Sequence, residues 1–315
     1  GVLMGMFQNN AGGAWDNVFV WDRDSPSDIA IRLVSHAPSS ATSRGDNSSQ
    51  GPVISGDGAH VAYRSFASDL VTGAGGTQRW NAYLWDRLAP TPSANHLLSR
   101  RAGEELVRGN GDSYVAAISH DGRLVGFSSF STDLLPGLVG DCVYNAYLWD
   151  RRAAEPGAIR LISHTPTAAN VCGNNGSGIS LLSANGRFVV FQSVATDLTL
   201  GETGPGPSPF PYGENSQLYR WDHLAPAESA TTLVSHTFAD SHRRAFGDSF
   251  GASVSANGGR VVFSSRATDM TAADFNDDSD AFWWSSADVA PPLFADDFAT
   301  GDTSGWSAAW PATSP

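Results

Sequence analysis

The segment Asp274-Phe275-Asn276-Asp277-Asp278-Ser279-Asp280 carries oxygen-bearing side chains at alternate positions. That spacing can fold carboxylates and an amide carbonyl around one hard cation, and Ca²⁺ accepts about six to eight oxygens in flexible geometry. Asp274, Asn276, Asp278 and Asp280 are the expected ligands, with a solvated acidic loop as the competing reading. An EF-hand is excluded, because no Gly stands at the sixth place and no Glu closes the loop. The corresponding stretch from Gly73 to Trp80 lacks acids, so a metal at every such loop is not expected.

Other residues could do chemistry, and each has a plainer reading. His36, His164 and His236 share one sequence context, with Arg100 in a fourth, and could ring a metal or an anion. A hydrogen-bonding position used once per repeat explains them as well. Asp69, Asp133, Asp197 and Asp269 recur after Ser or Thr and could supply paired carboxylates for glycoside hydrolysis. Residues so placed are usually turn-makers that satisfy backbone N–H groups. Gly247-Asp248-Ser249-Phe250-Gly251 matches a nucleophile elbow in letters only, since strand signals follow it where the elbow needs a helix. His242, Arg243 and Arg244 form the one non-repeated basic group, on a loop. Cys142 and Cys172 are too few for a four-ligand zinc site and too far apart for a redox pair. They read as one structural disulfide or as two buried thiols.

Repetition organises all of these residues. One element reads DNVFVWDR, NAYLWDR, NAYLWDR, SQLYRWDH and DAFWWS, which puts Trp21, Trp85, Trp149, Trp221 and Trp284 in register at intervals of 64, 64, 72 and 63 residues. A second element, SGDGAHVAYRSFASDL and its three relatives, places Gly58, Gly122, Gly186 and Gly258 at 64, 64 and 72. A third, RLVSH, HLLSR, RLISH and TLVSH, follows the Trp element. Matching intervals in separate elements identify true repeats. Aromatic and β-branched residues alternate at period two, and Asp-Gly or Asn-Gly pairs supply tight hairpin turns. One repeat is then four strands, as at 53–57, 60–66, 81–87 and 95–99, and nothing helical competes.

Four antiparallel strands per repeat predict the blade of a β-propeller, an all-β fold in which radial packing leaves few free edges. Tandem immunoglobulin-like sandwiches do not fit, because the repeat is short and no Cys pair with a Trp between recurs. The expectation is five blades within residues 1–290. The first lacks its innermost strand and the last its outermost, so terminal strands are candidates for sharing. In such a blade, the loop joining strands two and three emerges on the same face as the loop to the next blade. Cys142 lies in the first kind and Cys172 in the second, which makes a bond between them geometrically reasonable.

The S-x-[DN]-G-R-x-V-x-F-x-S-x-[AS]-[ST]-D-L run followed by D-x-[FY]-x-W-D resembles TolB-like propeller repeats of secreted and periplasmic bacterial proteins. It covers about residues 14–285 and speaks to fold rather than function. Residues 291–315, PPLFADDFATGDTSGWSAAWPATSP, leave the repeat and are similar to the endings of many secreted proteobacterial proteins. They read as a disordered acidic terminus or as a donor strand that completes a blade.

Composition narrows the partners. The formal net charge is −13 and no Lys is present, which disfavours nucleic acid and removes Schiff-base and P-loop chemistry. No run approaches the roughly 18 apolar residues of a membrane-spanning helix. The sequence opens at Gly1 with no leader pattern, as if a signal peptide were absent or already removed. The resulting expectation is a non-catalytic module, secreted or on the bacterial cell surface, that binds itself or another protein. A periplasmic location is the alternative. Competing functions are a polysaccharide lyase or hydrolase working in the central channel, and a TolB-like envelope protein that binds a partner.

Overall fold

Alternating apolar residues bounded by Gly-containing turns fold this chain into successive antiparallel sheets. A computed structural model describes residues 2–8, 14–25, 30–140, 142–154, 157–205, 215–272 and 278–286. The first sheet holds β1 (Val2–Gln8), β2 (Ala14–Trp21) and β3 (Ile31–Leu33). Four-stranded sheets follow: β4 (Ser49–Ile54), β5 (His60–Ser65), β6 (Asn81–Asp86) and β7 (Asn95–Leu97), then β8 (Ser113–Ile118), β9 (Leu124–Ser129), β10 (Asn145–Asp150) and β11 (Ile159–Leu161). The next comprises β12 (Ser177–Leu182), β13 (Phe188–Ser193), β14 (Gln217–Asp222) and β15 (Thr231–Leu233). A small hairpin, β16 (His236–Thr237) with β17 (Asp240–Arg244), leads to a last sheet of β18 (Ser249–Val254), β19 (Arg260–Ser265) and β20 (Asp280–Ser285). Among the described residues, helix is confined to one turn at Ala227–Ala230 and a 3-10 turn at Thr91–Ser93.

This is the expected all-β propeller architecture of four-stranded antiparallel blades. Sequence order equals spatial order in each sheet, and the first strands of successive sheets touch, β4 with β8, β8 with β12, and β12 with β18. The expected ends of 60–66, 81–87 and 95–99 run one or two residues past the observed strands, and the first strand differs more. The inner strand of the second sheet is Ser49–Ile54 rather than 53–57, because Ser55 to Ala59 are spent on the hairpin turn. Gly51 and Pro52 hid the strand's start, and they sit at a register shift in the β4–β5 ladder.

Packing between sheets follows one rule. The Tyr, Trp and Phe face of each sheet lies on the small-and-aliphatic face of the sheet before it. Tyr83 and Trp85 pack with Val18, Val20 and Val34; Tyr147 and Trp149 pack with Ala62, Ala82 and Leu84; Tyr219 and Trp221 pack with Ala146 and Leu148. Each such large side chain, fully buried, contributes about 1.5–3 kcal/mol by leaving water.

The polar letters of the repeat are equally structural. Ser99 Oγ accepts the Ala82 N–H and donates to Asn81 Oδ1, at 2.9 and 3.0 Å, and Ser163 with Asn145 and Ser235 with Gln217 repeat the arrangement. Paired hydroxyls tie first to second strands, Ser49 to Ser65, Ser113 to Ser129, Ser177 to Ser193 and Ser249 to Ser265. Burying these groups unpaired would be costly, so each finds its partner within the blade. At the hairpins, Gly122 and Gly258 have φ of 66° and 71°, and a Cβ there would lie 2.2 Å from His60 Nδ1 and 2.1 Å from Phe188 Cδ2. Glycine is needed both for the turn and for the approach of one blade to the previous one.

The Trp-Asp-Arg tripeptide adds an ionic latch between blades. Arg87 donates to Asp22 of the sheet before it, and Arg151 donates to Asp86 at 3.2 Å. Where the next repeat carries His223 instead of Arg, Asp150 receives both arms of Arg123 from its own hairpin, at 2.8 and 2.6 Å.

Candidate functional site

The two cysteines are bonded, with an S–S distance of 2.03 Å and a sequence separation of 30. Cys142 lies in the loop between β9 and β10 and Cys172 in the connection from β11 to β12, on one face as topology required. Such a bond fits an oxidising compartment. The repeat shows what the bond replaces. Cys172 occupies the place held by Arg44, Arg108 and Arg244 in the other repeats, pairing with His164 as Arg108 pairs with Arg100 and Arg244 with His236. Arg108 reaches Ser68 O, Ala74 O and Gly75 O at 2.5, 3.2 and 3.1 Å, which pins the loop above it. In the fourth repeat the loop is held by Glu202, whose carboxylate meets Arg244 Nε at 3.3 Å and accepts from the Tyr219 hydroxyl at 2.6 Å. Burial pushes the Glu202 carboxyl up from the ordinary carboxylate range, against the donors from Tyr219, Thr199 and Arg244.

Arg244 is therefore part of the scaffold. The basic group His242-Arg243-Arg244 expected on a loop is divided, because His242 and Arg243 are exposed on β17 while Arg244 is buried. The recurrent aspartates behave as turn-makers: Asp69, Asp133, Asp197 and Asp269 accept the backbone N–H of Asp46, Asn110, Asn174 and Phe246 at 2.9–3.0 Å. Of the proposed calcium ligands, Asp274 and Asn276 lie outside the described residues. Asp278 accepts the Ser279 N–H at 2.8 Å, and Asp280 begins β20 opposite Ser265. The tail 291–315 also lies outside the described residues.

The three repeated histidines are local hydrogen-bonding groups. Nδ1 of His36, His164 and His236 contacts the carbonyl of the following residue at 3.0, 2.8 and 2.9 Å. With Nδ1 protonated, His164 Nε2 is free to accept the Trp221 indole N–H of the next strand row, at 3.4 Å. Both rings line a cleft of about 430 Å³ beside Arg160, whose guanidinium sits 5.1 Å from the Trp221 ring centre. Burial lowers His164 from its ordinary value of 6.5, and burial also lowers His60, His96 and His223. The folded chain then binds fewer protons than the unfolded chain as pH drops past 6.5. Stability present above that pH is lost as pH falls through the lowered folded values, by up to about 1.4 kcal/mol per proton per pH unit. Urea unfolding between pH 7.5 and 5 should show this loss, with a shallower slope for His164→Gln; identical slopes would remove His164 from the account.

One surface breaks the repeat. At the rim where inner strands meet the loops between second and third strands, equivalent positions diverge while the structural serines beside them stay fixed. The second residue of the inner strand is Gln50, Tyr114, Gly178 or Phe250, and the residue after the second strand is Phe66, Phe130, Val194 or Arg266. The residue five places before the register Trp is Asp16, Trp80, Tyr144, Ser216 or Ser279. Two neighbouring blades therefore present a half-buried aromatic wall. Phe66 meets Trp80 edge-on at 5.6 Å, Tyr114 meets Phe130 and Tyr144 edge-on at 6.4 Å, and Phe130 lies 4.5 Å from Tyr144. The Arg64 guanidinium is held between Trp80 and Tyr114, 4.9 and 4.8 Å from their ring centres, and donates to Gln50 Oε1 at 2.9 Å. Gln50 in turn donates to Asp16. Repeat-by-repeat comparison of the sequence could have found this wall, but motif searching looks for what recurs.

A second departure lies at the two ends of the sheet series. Trp21, on the aromatic face of the first sheet, is 42% exposed, whereas Trp85, Trp149 and Trp221 are at most 5% exposed. On the opposite kind of face in the last sheet, Val262 and Trp283 are 51% and 48% exposed, where the equivalent Val190 and Leu148 are buried.

No family model matches this sequence, and no curated protein matches it. Among solved structures, the chain is similar to a protein of Agrobacterium tumefaciens assigned as TolB, with 18% identity and a TM-score of 0.40, covering 83% of this chain and 69% of that one. It is also similar to the tricorn protease, with 13% identity, a TM-score of 0.37 and coverage of 86% of this chain, and to a prolyl endopeptidase, with 14%, 0.33 and 85%. The chain spans 25% and 37% of the lengths of those two peptidases. At these scores none of the three informs activity or partner.

Proposed function

We propose that the chain is a non-catalytic extracellular module of the TolB-like kind, which works by binding and assembles with copies of itself through its terminal sheets. One observation carries the reading: the two part-exposed faces, Trp21 with Ile31 at one end and Val262 with Trp283 at the other, are of the two kinds that pack together between neighbouring sheets. Trp283 stands at the repeat position of Val20, Leu84, Leu148 and Arg220, the residue on which the next sheet's Trp is seated. The occupant that fits the last sheet is therefore the first sheet of a second copy. Such a contact is heterologous, so it builds a ring or a filament according to its rotation. The disulfide supports an extracellular or periplasmic setting, where it would persist.

Sedimentation equilibrium over a concentration series tests this directly. The expected result is mass above that of one chain, rising with concentration, and association weakened by about tenfold or more in Trp283→Asp. A single-chain mass at every concentration, or a variant that associates as the parent does, would overturn the proposal.

A further inference from the structure

The aromatic wall at the rim takes no part in the terminal contact, and packing does not require its composition. The blade carrying Gly178, Val194 and Ser216 at the same positions forms the same four-stranded sheet with none of these rings. We propose that the wall is a binding site for a neutral glycan chain.

Three properties point to that class. First, the rings stand side by side and half-buried, each leaving part of its surface at the rim, without enclosing a deep aliphatic pocket. A protein hot spot needs a fully desolvated pocket for an inserted side chain. A pyranose instead offers one flat C–H face, which packs on the negative face of an aromatic ring. Second, planar polar groups interleave with the rings: the Gln50 amide, the Arg64 guanidinium and the Tyr144 hydroxyl. These are the donors and acceptors that equatorial hydroxyls at a sugar's edge need, and Arg64 is already immobilised between two rings and Gln50. Third, the charges within the wall cancel. Asp16 lies at the far end of the Gln50 amide from Arg64, and the whole chain carries −13, so a polyanion gains little and is repelled at range.

Gly178 sets the place of the Tyr144 ring in the wall. Gly178 replaces the aromatic residue that the neighbouring blades carry at this place, and a Cβ built on it would lie 3.3 Å from Tyr144 Cε1 and 3.8 Å from Ser128 Oγ. The missing side chain lets the Tyr144 ring lie directly against β12.

The test is calorimetric titration of the whole chain with cellohexaose, laminarihexaose, mannohexaose and xylohexaose. Polygalacturonate and a proline-rich peptide serve as the charged and the peptidic probes. One or more of the neutral hexasaccharides should bind. Trp80→Ala and Tyr144→Ala should weaken that binding by about tenfold or more, and Gly178→Val, whose Cβ would push the Tyr144 ring aside, should weaken it as well. Trp283→Ala, which lies on the terminal face, should leave it intact. The inference is overturned if none of the four hexasaccharides binds, if only polygalacturonate or the peptide binds, or if the wall variants bind sugar as the parent does. Because the terminal contact is read by mass and the wall by heat of binding, the two proposals fail separately.

Discussion

Removing the disulfide should cost the fold about 3–4 kcal/mol, the loop-entropy value for a closed loop of this size. The expected result is a lower urea midpoint for the Cys142→Ser, Cys172→Ser double variant, and the same shift for the parent in reductant, with a somewhat steeper denaturant slope because the uncrosslinked unfolded chain is less compact. The repeat supplies a sharper version. Other blades hold this loop with an arginine at the position of Cys172, as Arg108 does through three carbonyls. Cys172→Arg in the Cys142→Ser background should therefore recover part of the loss, whereas Cys172→Ser in that background should recover none. Equal stability of parent and double variant would mean that the loop is held by its backbone contacts alone, chiefly Val139 N–H to Asn170 O and Cys172 N–H to Val139 O, each 2.9 Å.

The second large effect is expected at Glu202. Its side chain and that of Arg244 are both 1% exposed, and Arg244 Nε and Nη1 have no hydrogen-bond partner among the described residues. The Glu202 charge is thus the main compensation for a guanidinium taken out of water. Glu202→Ala should destabilise by about 3–5 kcal/mol, because it strands a buried charge and also removes the acceptor for Tyr219 and for both donors of Thr199. Replacing both partners, Glu202→Leu with Arg244→Met, should restore most of that loss, since an apolar pair of similar volume needs no compensation. A loss below about 1 kcal/mol in the single variant would show that water reaches Arg244 when the folded chain relaxes.

These two sites also show where sequence reading succeeds and stops. The blade was legible because Trp and Gly recur at matched intervals, and because Asp-Gly and Asn-Gly have few uses besides tight turns. The disulfide followed from topology once the loops were assigned to one face. The buried ionic site did not. Arg244 stands in a run of charged letters, and nothing local says that it folds under a loop held by Glu202, 42 residues earlier. Only alignment of Arg44, Arg108, Cys172 and Arg244 exposes the shared slot. The calcium reading depends on Asp274 and Asn276, outside the described residues, so it remains a proposal, tested by whether chelator changes stability in the parent but not in Asp278→Ala. The rim was missed for the opposite reason: its signal is divergence, which a search for recurrence discards.

Assembly through open terminal faces is the claim on which the functional reading rests, and site-directed cross-linking tests it most directly. Chains carrying Trp21→Cys are mixed with chains carrying Trp283→Cys, the native disulfide left intact, and oxidised at equilibrium. The account predicts covalent dimers that contain one chain of each kind and exceed what either variant forms alone. Closure of a single chain carrying both substitutions into an internally bridged monomer, with no mixed dimers from the separate variants, would contradict it.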